Sequence, residues 1–242
     1  MKAMIFAAGL GTRLKPYTET MPKALVPVAG IPMLEILINQ LLKNGINEIL
    51  INVHHFAGQV IEFLDQNNNF GANITISNEE DLLLDTGGGL KKAAWFFDDK
   101  QPFLVQNVDV ISDLDYKGMV DFHNGNKALA TLAVCDRVTS RYFLFDEQMQ
   151  VCGWENTKTG EIKMARPDSL NLERFAFSGI HIIDPAIFNS IKKEGKFSIV
   201  DTYIELASTN KIKGYKHNPE NWVDMGKPEE LLKAKLILEK IK

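Results

Sequence analysis

Residues 7–28 read AAGLGTRLKPYTETMPKALVPV and follow directly on the apolar run Met4, Ile5 and Phe6. That run is a short buried strand, so Gly9 and Gly11 open the loop that leaves it. Glycines just past a first strand suggest phosphate binding, because they let backbone N–H groups come close to an anion. The familiar phosphate fingerprints do not fit. A GxGxxG motif starting at Gly9 needs glycine where Leu14 stands, and a P-loop needs lysine directly after its last glycine, where Thr12 stands. The cations come later, at Arg13, Lys15 and Lys23. This spacing suits a polyphosphate cradled by backbone amides and clamped at separated points, by a planar fork at arginine and a compact charge at lysine. Pro16, Pro22 and Pro27 restrict the loop and reduce the entropy lost on closing around a ligand. On the glycines and cations alone, a solvated turn with ordinary surface charges reads equally well.

Outward from this loop, strand and helix patterns alternate up to Asp109. Lys2–Ala8 is an apolar run, and Pro32–Lys43 is a helix with an apolar stripe at Met33, Leu34, Leu37, Ile38, Leu41 and Leu42 and Gly45 just past its end. Glu48–Val53 and Asn73–Ser77 read as strands, Gly58–Gln66 and Gly88–Phe97 as helices, and Pro102–Gln106 as a buried strand ending just before Asn107-Val108-Asp109. Such alternation implies right-handed crossovers and a parallel sheet with helices on both faces. Ligands then bind beyond the carboxyl ends of the strands, the edge where both the Gly9–Lys23 loop and Asp109 fall. Beyond Asp109 the rhythm is mixed. Helices are expected at Asp115–Asn124, Pro185–Lys193, Ile199–Ser208 and Pro228–Lys240. Strands are expected at Leu129–Val134, Tyr142–Asp146, Val151–Glu155, Phe175–Ile183, Ile212–Tyr215 and Trp222–Val223, with a turn at Asn156–Gly160 and an irregular polar stretch over 161–173. With no repeat or linker, residues 1–242 are expected to form one domain, with an acceptor-binding second half (111–242) folded onto the sheet of the first (1–110).

The chain's 242 residues suffice for one good core. A net charge of -4 offers no polycationic surface for nucleic acid, so an anionic ligand needs a local basic site. No apolar run approaches the roughly 20 residues of a membrane span, and Met1-Lys2-Ala3 leads straight into a strand instead of a cleavable signal. A cytoplasmic protein is expected, with Cys135 and Cys152 as reduced, partly buried thiols.

Three further places carry candidate chemistry. Thr86-Gly87-Gly88-Gly89 precedes a helical pattern and would allow close approach of a flat base or ribose, unless it is only a flexible loop. Asp109 at a strand end is either a local turn cap or in use. Asp224, in Trp222-Val223-Asp224-Met225-Gly226, raises the same choice. The two aspartates together would suit a hard divalent cation, which prefers oxygen ligands. His54 and His55, adjacent in sequence, point to opposite faces if extended and form no chelating pair. His123, His181 and His217 have no partners at ligand spacing, Trp222 reads first as core and otherwise as a surface packed against sugar or base, and Lys91-Lys92 reads as a solvated face.

GLGTRLKPYTETMPKALVPVAGIPMLE resembles the signature of the nucleoside triphosphate:sugar-1-phosphate nucleotidyltransferases, and TGGG, NVD, AFSGIHII and WVDMG continue the resemblance in order over nearly the whole chain. Among subfamilies it is most similar to the short N-acetylmuramate-1-phosphate uridylyltransferases and mannose-1-phosphate guanylyltransferase-like proteins. The resemblance implies a Rossmann-like three-layer αβα sandwich around a mostly parallel mixed sheet, the nucleotide-diphospho-sugar transferase fold, without a C-terminal β-helix. It implies nucleotide contacts at Ala7, Ala8, Gly9, Gly11, Thr12, Glu80, Thr86 and Gly87, and a sugar-facing wall at Asn107, Gly153, Phe177, Ser178 and Gly179. Arg13 would meet the β- and γ-phosphates and Lys23 the α-phosphate, with Mg2+ at Asp109 and Asp224. Two departures stand out: Val108 replaces the family's glycine before the metal-site aspartate, and no Glu-Glu-Lys-Pro sugar-phosphate motif is present, leaving Lys163 or Arg166 as candidate cations in its place.

The implied reaction joins a nucleoside triphosphate and a sugar-1-phosphate, with UTP and N-acetylmuramate-1-phosphate as the leading pair. GTP with mannose-1-phosphate, CTP with phosphocholine or another phosphorylated alcohol, and a catalytically silent nucleotide-sugar sensor are the alternatives. Oligomeric state is left open.

Overall fold

The computed structural model of the chain describes residues 1–226 and 230–241. The first half runs β1 (Ala3–Phe6), β2 (Pro27–Val28), β3 (Ile31–Pro32), α1 (Met33–Lys43), β4 (Glu48–Val53), α2 (Ala57–Gln66), β5 (Asn73–Asn78), α3 (Asp85–Lys92) and β6 (Phe103–Asn107). The second half continues with β7 (Val110–Ser112), α4 (Tyr116–Asn126), β8 (Ala130–Cys135), β9 (Arg141–Phe145), β10 (Val151–Asn156), β11 (Glu161–Met164) and β12 (Glu173–Ile183). It closes with α5 (Ile187–Ser190), α6 (Ile199–Ala207), β13 (Ile212–Lys216), β14 (Trp222–Asp224) and α7 (Leu231–Ile241). The helix expected over Pro228–Lys240 is α7; Pro228 itself lies outside the described residues.

One ten-stranded sheet runs through both halves in the order β11-β10-β9-β12-β6-β1-β4-β5, with β8 joined to β12 and β13 to β8. The strands β6, β1, β4 and β5 pair in parallel, as the alternating strand and helix pattern requires. Antiparallel β12 then seals the parallel block beside β6. Side chains alternate across β1: Ala3 and Ile5 face α1, α2, α4 and α7, whereas Met4 and Phe6 face α3, α5 and α6. The result is a three-layer α/β sandwich with a core on each side of the sheet. Both cysteines are buried free thiols, Cys135 in β8 and Cys152 in β10. Among the described residues no helix is long and apolar enough to cross a membrane.

Several local expectations change. Residues 161–164 are not irregular: Gly160 at φ 75° turns the chain, and β11 then pairs with β10 as the sheet's outer strand. A strand held by its backbone ladder at an edge buries little, so its composition stays polar. The helix expected over 185–193 shrinks to α5, because Ile191 is extended and Gly195 (φ 69°) bends the chain away. His54 and His55 lie beyond the end of β4, and His54 Nδ1 sits 2.7 Å from the Glu79 carbonyl oxygen. Lys91 is no solvated side chain, for it donates to the Lys193 carbonyl at 2.7 Å and to Glu194 at 2.5 Å.

The glycine triplet is the main correction. Gly87, Gly88 and Gly89 lie inside α3, buried, where a Cβ would meet the Phe197 ring at 2.4 Å, the Gly195 carbonyl oxygen at 2.1 Å and Glu79 Oε1 at 2.7 Å respectively. The N–H groups of Gly87 and Gly88 donate to the Phe197 carbonyl at 2.9 and 3.3 Å. These glycines bring α3 against the segment that leads into α6. Replacing Gly88 by alanine should therefore overpack a contact that is backbone on the other side and cost about 1–3 kcal/mol. A urea midpoint equal to that of the parent would contradict this packing role.

Two buried histidines give stability an acid limit. His181 pairs with the Tyr203 hydroxyl and His123 Nδ1 lies 3.0 Å from Thr131 Oγ1. Burial pushes His181 down to about 3 and His123 to about 4 from 6.5, the latter despite the pull of Asp184. Both are neutral in the folded chain, so below about pH 6.5 the unfolded chain binds protons that the folded one refuses. Stability should fall from there to the folded values, by on the order of 2 kcal/mol per histidine between pH 6.5 and 5. A His123→Gln variant should lose part of this slope in urea titrations across that range; an unchanged slope would exclude His123.

Candidate active site

The register of β1 explains why its loop meets Asp109. Phe6 pairs with Asn107 at the end of β6, and the Val108 N–H donates to the Phe6 carbonyl at 3.1 Å, so both chains leave the sheet side by side. Asp224 arrives by a separate short ladder, β14 against β7, in which Asp224 pairs with Val110 and the Met225 N–H donates to the Asp109 carbonyl at 2.8 Å. Two carboxylates 115 positions apart in sequence (224 minus 109) are thereby set on adjoining backbone.

The opening loop folds over them. Gly11 adopts φ 63°, and its carbonyl accepts from the Leu14 N–H and the Thr18 hydroxyl, both at 2.8 Å. A Cβ at Gly11 would lie 2.8 Å from the Thr18 methyl and 2.9 Å from Lys23 Cβ, so only glycine lets the loop close onto Lys23. Buried Leu14, Ala24 and Val26 pin the loop to the core. Lys23 donates to Asp109 Oδ2, both side chains being 12% exposed, and Arg13 Nη2 lies 3.7 Å from Asp224 Oδ2. Gly226 has a matching role: a Cβ there would strike Arg13 Nη2 at 2.5 Å, and its N–H donates to Asp224 Oδ1 at 2.8 Å. Burial and then repulsion from Asp109 push the Asp224 carboxyl up, while the Gly226 N–H and Lys23 pull it back.

A second pocket of about 220 Å3 adjoins the loop, lined by Phe6, Ala8, Gly9, Asn52, Glu79 and Thr86 among others. Gly9 is exposed, with nothing within 4 Å of its would-be Cβ, and Thr12 is exposed as well. The Ala7 N–H is already committed to Asn52 Oδ1 at 2.8 Å. Asn52 Nδ2 in turn donates to Glu79 Oε1 at 2.7 Å, and the Leu84 N–H donates to Glu79 Oε2 at 3.2 Å. The buried carboxylate of this pocket is thus Glu79; its neighbour Glu80 is exposed and accepts from the Asn78 side chain at 2.6 Å. Sequence reading missed Asn52 and Glu79. The signal lay in their places, one at the carboxyl end of β4 and the other just past β5. Thr86 lines the pocket but spends its hydroxyl on the Ile199 N–H at 3.0 Å.

On the other side a cleft of about 1160 Å3 is lined by Arg13, Arg137, Arg141, Phe177, Trp222 and Asp224 among others. Of the expected sugar-facing residues, Phe177 reaches it. Ser178 is fully buried with its hydroxyl 2.7 Å from His217 Nε2, and Gly153 is packed so that a Cβ would meet the Lys163 carbonyl oxygen and Met164 Sδ at 2.8 Å. Asn107 is half-buried, filling the space above Gly179, whose φ of 72° belongs to an irregularity in β12. The two candidate sugar-phosphate cations are occupied elsewhere. Lys163 donates to Asp201 at 2.7 Å, and Arg166 Nε donates to the Ala207 carbonyl at 2.8 Å.

Residues 2–241 match the nucleotidyl transferase family. The chain is 30% identical over 251 residues to the UTP–glucose-1-phosphate uridylyltransferase of Synechocystis sp., an alignment that takes in 97% of this chain but spans only 62% of that protein's length. It is equally 30% identical over 251 residues to the N-acetylmuramate alpha-1-phosphate uridylyltransferase of Caulobacter vibrioides, covering 96% of this chain and 94% of that one. The crystal structure of HddC from Yersinia pseudotuberculosis complexed with GMP-PN superimposes with a TM-score of 0.78 at 25% identity, over 100% of this chain and 99% of the other. A cation-bearing loop closed on two carboxylates at one sheet edge, together with these matches along the whole chain, places the protein in the nucleotidyl transferase family.

Proposed function

We propose that the chain is a Mg2+-dependent sugar-1-phosphate nucleotidyltransferase of the cytoplasm, joining UTP to N-acetylmuramate-1-phosphate for cell-wall synthesis. The observation that carries the reaction class is the convergence of Lys23 and Arg13 from one loop on Asp109 and Asp224. The uridylyl and N-acetylmuramate choice is supported by the near full-length match to the Caulobacter vibrioides protein of that name, where the glucose-1-phosphate relative extends well beyond the aligned part.

In this reading an oxygen of the sugar-1-phosphate forms a bond to the nucleotide α-phosphorus, and the bond from that phosphorus to the bridging oxygen of pyrophosphate breaks. Both reactants are anions, so neutralising charge and aligning them is most of the task. Lys23 faces the α-phosphate and stabilises the charge that builds there. Arg13, half-exposed at the mouth, takes the β- and γ-phosphates and the departing pyrophosphate. A phosphate monoester is already ionised near neutral pH, so no general base is needed, and the buried histidines stand outside the chemistry. Asp109 and Asp224 fit a hard divalent cation: burial and then the neighbouring Asp109 charge push the Asp224 carboxyl up, and a cation between oxygen ligands would relieve that repulsion. When bound, Mg2+ supplies charge neutralisation on phosphate oxygens. The pocket at Gly9, Asn52 and Glu79 takes the base and ribose, and the larger cleft takes the acceptor sugar.

Lys23→Ala and Asp109→Asn should each lower turnover by about 10²-fold or more, the scale seen when one charge-stabilising group is lost. Near parental rates in either folded variant would remove that residue from the reaction. Pyrophosphate release with Mg2+, crossing UTP, GTP, CTP and ATP with sugar-1-phosphates and phosphocholine, should be highest for UTP with N-acetylmuramate-1-phosphate. A higher rate for GTP with mannose-1-phosphate or CTP with phosphocholine would overturn the substrate choice, and no release with any pair would overturn the reaction.

A further inference from the structure

The acceptor cleft contains a cation that neither the sequence motifs nor the charge pairs account for. Arg137 lies between β8 and β9 and lines the cleft together with Trp222 and Asp224. Its Nη2 donates to the Phe177 carbonyl at 2.9 Å, and its guanidinium carbon sits 4.3 Å from the centre of the Trp222 ring. Its Nε is shielded from solvent and has no hydrogen-bond partner. Among the described residues no carboxylate lies within ion-pair distance of this guanidinium, whereas Arg13, Lys23 and Lys163 all have one. A half-buried arginine with a desolvated donor and no counter-charge is costly unless an anion joins it.

We infer that Arg137 is the anion anchor of the acceptor side, holding the phosphate of the phosphorylated sugar with a guanidinium seated over Trp222. The inference rests on the reaction proposed above and names the residue that supplies its acceptor charge. Three features support it. The hydrogen bond to the Phe177 carbonyl and the position over the ring hold the guanidinium in place, which suits it to phosphate oxygens better than a free side chain would be. The ring beneath it is itself fixed: Trp222 Nε1 donates to the Ser178 carbonyl at 2.9 Å, and β14 is paired to β7. Trp222 and Asp224 are two apart on one strand, hence on the same face, about 7 Å along the chain. An acceptor phosphate held at Arg137 is thereby kept within a nucleotide's reach of the Asp109–Asp224 pair by a single rigid strand. The neighbouring cations Arg141 and Lys158 also line the cleft and favour anion entry, but both are exposed and unstacked.

Titration of the full chain with inorganic phosphate, followed by intrinsic tryptophan fluorescence, tests the anchor without knowledge of the sugar. Wild type should show a saturable response, Arg137→Ala should bind phosphate about 10-fold or more weakly, and Arg137→Lys should fall between. In steady-state kinetics with the best acceptor, Arg137→Ala should raise KM for the acceptor by a similar factor while leaving KM for the nucleotide within about 2-fold. Arg137→Lys should recover part of the loss, and a thermal melt should show each variant folded. Phosphate binding by Arg137→Ala within about 2-fold of wild type, or no saturable response in wild type, would overturn the anchor. Arg137-dependent phosphate binding in a protein that releases no pyrophosphate with any acceptor would retain the anchor and discard the reaction.

Discussion

The parallel pairing of Ala3–Phe6 with Phe103–Asn107 is the constraint on which the site depends. It makes two unrelated stretches of chain, the glycine loop and the Asn107–Asp109 turn, leave the sheet at the same height. Slipping that register by one residue would turn Ile5 and Phe6 to the opposite layers, and both cores resist this because each face of β1 is fully buried. The hydrophobic effect, acting on four apolar side chains, thus sets where a lysine meets an aspartate.

A second, weaker ladder completes the arrangement. β14 and β7 are only three residues each, yet their pairing brings Asp224 beside Asp109 and lays Trp222 along the wall of the larger cleft. Bringing like charges together is unfavourable in itself. The backbone contacts and the packing of Trp222, Val223 and Met225 outweigh it, and burial together with this repulsion raises the proton affinity of Asp224. Lys23 and Arg13 offset part of the same repulsion. The two carboxylates and two cations are thus held close together at one sheet edge, where a further cation would ease the remaining repulsion.

Glycine has two distinct jobs in this chain. Gly11 is needed for its left-handed backbone and for the room it leaves Lys23, and Gly226 for the room it leaves Arg13. These serve the site directly. Gly87, Gly88 and Gly89 are needed because a helix and a loop pass within backbone contact of each other, a purely architectural demand. In the sequence the two kinds look alike, since a glycine records that a side chain is excluded without recording what excludes it.

Periodicity and local chemistry suffice for the elements of the parallel block, for the loop that follows the first strand, and for the idea that its cations and a strand-end aspartate belong together. The elements and the loop arise from interactions between near neighbours along the chain, whereas the meeting of Lys23 with Asp109, 86 positions on, follows only from the rule that loops at the carboxyl ends of parallel strands share one edge. Which carboxylate of the Glu79-Glu80 pair is buried, that Lys163 and Arg166 are tied to Asp201 and Ala207, and that Arg137 stands uncompensated over Trp222 were settled by the tertiary structure. Each is decided by contacts spanning tens of residues, where burial and the competition for partners depend on how separate strands are registered, and no local pattern encodes that outcome.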